Sequence, residues 1–221
     1  MDAPPNPWFS WDYIESNIDD LLVAAREHVL ITIGAVVLAM AITVPLALAV
    51  RRLPYLKAPV LGLSDILYTI PSLALIAGLW PVFGLSPWTV IVALALYALL
   101  VLLRNVLAGL ESTPPDIVDA ASGLGYSDRQ FLWRVQLPLA VPAIMGGLRI
   151  ATVSTVGLVT IGALVGHGGF GTIILGGFIS NFYRAQIFAG TVAVVALALI
   201  LEALLLLLER ALTPWARRGG R

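Results

Sequence analysis

The chain has 221 residues, 59% of them hydrophobic and 12% charged, with zero formal net charge. That charged share is about half the soluble-protein norm, and with a mean hydropathy of +0.95 it excludes water as the solvent for most of the surface. Zero net charge removes the electrostatic basis for nucleic-acid binding, and the absence of cysteine removes disulfides, thiol nucleophiles and Cys-based metal sites.

The length suits one domain. Met1 to Glu27 is polar and acidic, with Asp2, Asp12, Glu15, Asp19, Asp20 and Glu27 against Arg26 alone. It lacks the basic start of a cleaved signal peptide, and residues 1–28 are expected as an extracytoplasmic segment. Trp8, Phe9, Trp11 and Tyr13 suit the membrane–water interface. Val29 to Val50 carries no charge and would reach about 33 Å as a helix, enough to span a bilayer. Pro45 is a possible kink in it. Arg51, Arg52 and Lys57 follow in a short loop.

Ala58 to Trp80 is the second expected span, interrupted by Pro71. Trp88 to Leu110 is the third, with Trp80 and Trp88 placed as an aromatic belt. Leu139 to Val165 is the fourth. Its Gly, Ala, Ser and Thr content suits close packing inside a bundle. Gly166 to Gln186 reads as an extracytoplasmic loop with a short helix, either on the surface or dipping into the bundle, and the alternative is a sixth span. Ile187 to Leu208 is the last clear span.

Basic residues decide between those alternatives. With five spans, Arg51, Arg52, Lys57, Arg129, Arg134 and the arginines at 210, 217, 218 and 221 share one side. The positive-inside rule makes that side cytoplasmic, with the N-terminus outside and the C-terminus inside. A sixth span would send the terminal arginines out, so five is the expectation. The fold class is therefore an all-α integral membrane protein of five transmembrane helices, its transmembrane domain at 29–210 and a basic tail at 211–221.

Between the third and fourth spans lies a polar stretch, 111–138. Thr113 is placed to cap a helix opening at Pro114. Ile117, Val118 and Ala121 share a helical face, and Gly123 and Gly125 stop that helix. Ser127 and Gln130 form a capping box for a second helix, which Pro138 is expected to end. Two short helices with a glycine elbow, too polar to span, must lie outside the bilayer.

In this stretch Asp119-Ala120-Ala121, then Gly125, then Val135-x-Leu137-Pro138 resembles the EAA-x3-G-x9-I-x-LP motif of bacterial ABC-importer permeases, with Asp for Glu and Val for Ile. Further segments resemble permeases for glycine betaine, carnitine, choline and proline. Tyr68 to Leu75 matches their TIPSLAL stretch. Leu96 to Leu100 with Arg104-Asn105 matches LYALLPIIRN, with Val101 at the proline position. Gly147 to Ala151 matches GIRTA, and Gly162 to Gly171 matches IGAGGLG, with His167 for a small residue and Phe170 for Leu.

The resemblance implies a permease subunit of an ATP-driven importer for osmoprotectants. Residues 111–138 would be the cytoplasmic coupling loop that docks into an ATPase, through Asp119, Ala120, Ala121, Gly125, Leu137 and Pro138, while Phe131 and Trp133 either insert into that partner or contact the headgroup region. It implies two cytoplasmic ATPases that use ATP-Mg, a second permease copy or similar permease, and an external substrate-binding protein. No phosphate-binding loop stands in this sequence, so no cofactor and no catalytic role are assigned to the chain, and it is expected in the bacterial inner membrane. An importer for another solute such as methionine, and an ATP-independent channel or carrier, remain alternatives.

Four charges lie inside spans: Asp65, Arg104, Arg149 and Glu202. Each is costly at the bilayer centre, about 2.5–3.5 kcal/mol on insertion scales. Snorkelling, simple pairing and a single polar cluster are all open readings. Pro71 and Ser72 are candidates for a kink lining the path. Tyr68 and Tyr97 could face a quaternary ammonium or serve as packing. His167 reads as a polar loop residue rather than a metal ligand.

Overall fold

The computed structural model describes residues 6–214. Asp2 of the acidic segment and Arg217, Arg218 and Arg221 of the basic tail lie outside the described residues. Helix α1, Trp11–Ser16, is capped by the Ser10 hydroxyl, which accepts the Tyr13 N–H. Helix α2, Ile18–Arg52, begins well before the expected first span and runs through Pro45. The acidic segment is therefore not separate from the span: its second half is the first turns of the same helix.

The expected second span is two helices, α3 (Lys57–Thr69) and α4 (Ser72–Phe83), set at 98° to one another. Pro71 causes the break. The residue before a proline is driven out of the helical region, and Ile70 is extended at φ −67°, ψ 127°. Helix α5 (Pro87–Glu111) is the third span and has the largest buried share of the candidate spans. Helices α6 (Pro115–Gly123) and α7 (Asp128–Phe131) form the intervening loop. A π turn, Leu132–Gln136, leads into α8 (Leu137–Val159). Helix α9 (Phe170–Ile179) and helix α10 (Arg184–Leu212) are the last helices among the described residues.

Packing fixes the direction of each helix. Ile31 and Ala35 of α2 meet Val90 and Leu94 of α5 and Val159 of α8. Ala39 meets Ala95, Ala98 and Ala151 at mid-height. Ala47 and Val50 meet Leu103, Val106 and Leu107, together with Ala140. Thus α2 and α5 run parallel, and α8 runs against both. A chain leaving the end of α2 can enter the start of α5 only by returning through the bundle's thickness, and the α3–α4 pair makes that return. Among the described residues four helices are individually long and apolar enough to cross a bilayer, and the bent pair, counted as one span, makes five.

The stretch 166–186 is not a sixth span. Its helix α9 spans about 15 Å. It lies along the first turns of α10: a Cβ on Gly177 would meet Ile187, and one on Gly190 would meet Ile174. Phe170, Gly171 and Gly177 are buried, so this short helix is packed into one end of the bundle.

Single cysteines in this cysteine-free chain test the arrangement. An impermeant maleimide added to intact cells should label cysteines at Asn6 and Leu85 and spare those at Arg129 and Pro214. Labelling at Pro214 would overturn five crossings.

Candidate coupling loop and intramembrane polar sites

The polar stretch ends helix α6 as its glycines suggest. The Tyr126 N–H bonds the Ala121 carbonyl at 3.1 Å and the Gly125 N–H bonds Ser122 at 2.9 Å. This is the pattern of a Schellman stop. Gly125 sits at φ +73°, where a side chain brings strain. Gly123 is the last helical residue rather than the breaker. Ser127 and Gln130 form the capping box in both directions, at 3.3 and 2.9 Å.

Two details of the stretch differ from the sequence reading. Helix α6 starts at Pro115, with Pro114 as its cap residue, and the buried Thr113 hydroxyl has no protein partner. Pro138 does not end the second helix. The Leu137 N–H bonds Leu132 O, five residues back, and this wider turn makes room for the proline ring that an α turn would crowd. Asp128 to Val165 is consequently one helical run.

Of the motif residues, Ala121 is buried while Asp119, Ala120 and Gly125 are exposed. Trp133 is 64% exposed, whereas Phe131, Leu137 and Pro138 are half-buried. Ile117, Val118 and Leu124 are also exposed on this loop. The sequence reading treated Ile117 and Val118 as one face with Ala121, and passed over Leu124. Its signal is an apolar residue between two glycines, 77% exposed. The loop and the π turn after it thus leave Ile117, Val118, Leu124 and Trp133 uncovered.

Its base is tied by charge. Arg51 donates through Nη1 and Nη2 to both Asp128 carboxylate oxygens, at 2.9 and 2.5 Å, and through Nε to Gln136 Oε1 at 2.7 Å. Lys57 pairs with Glu111 at 2.6 Å. These bonds gather the basic residues after the first span and the polar loop at one end of the bundle.

The four intramembrane charges form two separate groups. Arg104 pairs with Asp65 at 2.6 Å. Arg149 donates to Glu202, and to Glu209 at 3.1 Å. Gly146, Arg149, Ser154 and Glu202 line an open cleft of about 460 Å³ between α8 and α10. The four residues stand in two pairs on different helices rather than in one cluster.

At the break, the Tyr97 hydroxyl donates to the Ile70 carbonyl. Tyr97 is buried, and half-exposed Tyr68 lies edge-on to it, 5.6 Å between ring centroids. Pro71 and Ser72 open α4 at this point. Of the two tyrosines, the exposed ring is Tyr68.

The opposite end holds a knot that the sequence did not reveal. Glu27 accepts from His167 Nδ1 at 2.8 Å and from the Gly169 N–H at 3.1 Å. His28 is fully buried, its Nδ1 accepting from the Phe170 N–H and its Nε2 donating to the Val156 carbonyl. The two histidines, distant in sequence, close on one loop. Gly169 could hardly be another residue, because a Cβ there would stand 2.5 Å from that of His28. No group of three or more metal-binding side chains occurs among the described residues.

A family described as binding-protein-dependent transport system inner membrane component matches residues 33–214. The carnitine transport permease protein OpuCB of Listeria monocytogenes is 34% identical over 95% of each chain. The glycine betaine/carnitine/choline transport system permease protein OpuCB of Bacillus subtilis is 34% identical over 94% of this chain and 95% of its own. The osmoprotectant import permease protein OsmW of Salmonella typhimurium is 37% identical over 91% and 96%. A chain of the MetNI methionine ABC transporter in an inward-facing conformation superposes with a TM-score of 0.78, covering 90% of this chain and 99% of that one, at 21% identity. At that identity the likeness is one of fold.

Double-mutant cycles read the charge pairs. Arg149–Glu202 and Arg104–Asp65 should each show a coupling of about 0.5–3 kcal/mol in thermal unfolding in detergent, and the crossed pairs Arg104–Glu202 and Arg149–Asp65 close to none. Comparable coupling in the crossed pairs would restore a single cluster.

Proposed function

Because the chain belongs to the family of binding-protein-dependent transport system inner membrane components, we propose that it is the membrane-spanning permease of an ATP-driven importer for osmoprotectants, compact solutes carrying a quaternary ammonium. The observation that carries this reading is the whole-length likeness to permeases named for carnitine, glycine betaine and choline. The exposed apolar loop supports it. An uncovered Leu124 and Trp133 suit a protein partner, and residues 111–138 are where the resemblance puts the ATPase contact.

In this reading Asp119, Ala120, Ala121, Gly125, Phe131, Trp133, Leu137 and Pro138 make or shape the docking surface for a cytoplasmic ATPase. ATP-Mg is bound and hydrolysed there and not by this chain. A second permease completes the pathway, and an external binding protein delivers solute. The basic end of the bundle faces the cytoplasm of a bacterial cell, by the positive-inside rule. Residues 29–210 are the permease domain, between an outer acidic segment and an inner basic tail.

The path runs past the break in the second span, with Pro71 and Ser72 at the bend and Tyr68 offering its ring to passing cations. Tyr97 acts from behind by holding the Ile70 carbonyl. A conduit has to release what it carries, so selection belongs to the binding protein. Changes at Tyr68 therefore alter rate more than preference.

Two measurements test the reading. Gly125→Val places a β-branched residue in the left-handed region, at a cost of roughly 1–2 kcal/mol. The surrounding space is open, so membrane insertion should survive while ATPase association or coupled hydrolysis falls. Gly125→Asn, which tolerates that region, should retain activity. Full transport by Gly125→Val would remove the docking role. For substrate, a transporter-deficient strain expressing the full set of subunits should take up labelled glycine betaine, choline or carnitine in an ATP-dependent manner. Methionine uptake without betaine uptake would overturn the assignment.

A further inference from the structure

Arg51 joins three elements at the loop end. It stands in the last turn of α2, and its guanidinium uses all three nitrogens. Two grip the Asp128 carboxylate in the first turn of α7. The third reaches Gln136 Oε1 in the π turn. Gln136 then donates through Nε2 to the Leu110 carbonyl at 2.9 Å, near the end of α5. A single chain of bonds therefore links the polar loop to the ends of the first, third and fourth spans.

The π turn explains why such a link is needed. A π turn is less regular than the helix on either side and often marks a functional site. Here it interrupts the regular bonding of the run from Asp128 to Val165, between α7 and α8, so it is where that run bends most easily. Arg51 bridges that point, holding α7 on one side and the last residue of the turn on the other. A planar fork suits this task, since a lysine ammonium could not serve both partners in the same fixed geometry. The Arg51 side chain is 14% exposed and that of Asp128 is 69% exposed. An ion pair with one so exposed member adds little to stability, so folding alone gives this arrangement little purpose.

We propose that Arg51 is a positioning residue that makes the polar loop move as one body with the first and third spans, through its fork to Asp128 and its bond to Gln136. The proposal rests on the functional reading above: when the ATPase moves the loop, Arg51 carries that movement into α2 and, through Gln136, into α5. Without it the loop turns on the π turn and hydrolysis no longer drives the spans.

The test uses the complete complex in proteoliposomes and the full chain in nanodiscs. In Arg51→Ala and Arg51→Lys, solute moved per ATP hydrolysed should fall about tenfold, within the usual range of coupling between sites. Assembly and hydrolysis should persist, because Arg51 forms neither the exposed loop face nor a phosphate site. Glu15→Gln, at an exposed position of α1 remote from the loop, should leave the ratio unchanged. The double variant Arg51→Glu with Asp128→Arg should recover part of the ratio lost in Arg51→Glu alone. Independently of transport, amide exchange in the Arg51→Ala chain should rise across 128–136. A wild-type ratio in Arg51→Ala, unchanged exchange in 128–136, or parallel loss of hydrolysis and transport without recovery in the double variant would each overturn the proposal. Absence of ATP-dependent uptake by the wild-type complex would instead overturn the importer reading, while the exchange result still judges the link.

Discussion

The close packing of α5 between α2 and α8 governs the arrangement of the other elements. Lipid supplies no hydrophobic drive for helices to associate, so contact depends on how near their backbones can come. Small residues set that distance. A Cβ on Gly109 would stand 3.0 Å from the Ala140 carbonyl oxygen, and one on Gly147 would stand 2.4 Å from Asn105 Cβ. The alanines at mid-height do the same for α2. With α2 and α5 held parallel, the segment between them has to recross the bilayer, and the loop after α5 has to emerge where α2 ends. The position of the loop beside Arg51 follows from that packing.

The recrossing is made by a broken helix, which creates a debt inside the membrane. Residues next to the break lose helical hydrogen bonds, and lipid offers no water to replace them. Tyr97 supplies a bond to the Ile70 carbonyl from the adjacent α5. The most enclosed helix thus supports the least regular one. The two tyrosines are placed differently: the Tyr97 hydroxyl is bonded to the scaffold, and Tyr68 is half-exposed.

Much of this was legible in the sequence because hydropathy and capping are local. Val29 to Val50 and Trp88 to Leu110 fall inside α2 and α5, and the Ser127 capping box and Gly125 stop form as their residue types dictate. The errors came where a neighbour outweighs a local signal. Pro138 looked like a terminator because proline ends an α turn, but the preceding π turn accommodates it. Thr113 looked like a cap, yet two prolines in succession shift the helix start past it. The right-angled bend at Pro71 was legible as a break but not as an angle. The pairing of Asp65 with Arg104 and of Arg149 with Glu202 depends on which helices adjoin, which no single segment encodes. Leu124 was missed because an apolar residue in a polar loop has no periodicity to reveal its exposure.

The knot at the opposite end has a chemical consequence. A buried histidine in a membrane protein invites a role as proton carrier or metal ligand. His28 is committed to neither. The Phe170 amide is a donor and nothing else, so Nδ1 of the ring must offer it a lone pair. The Val156 carbonyl is an acceptor and nothing else, so Nε2 must carry the hydrogen. Both partners are backbone groups, which no side-chain rearrangement can change. The imidazole is fixed as one neutral tautomer, and it behaves as a rigid hydrogen-bonding spacer between two segments of main chain.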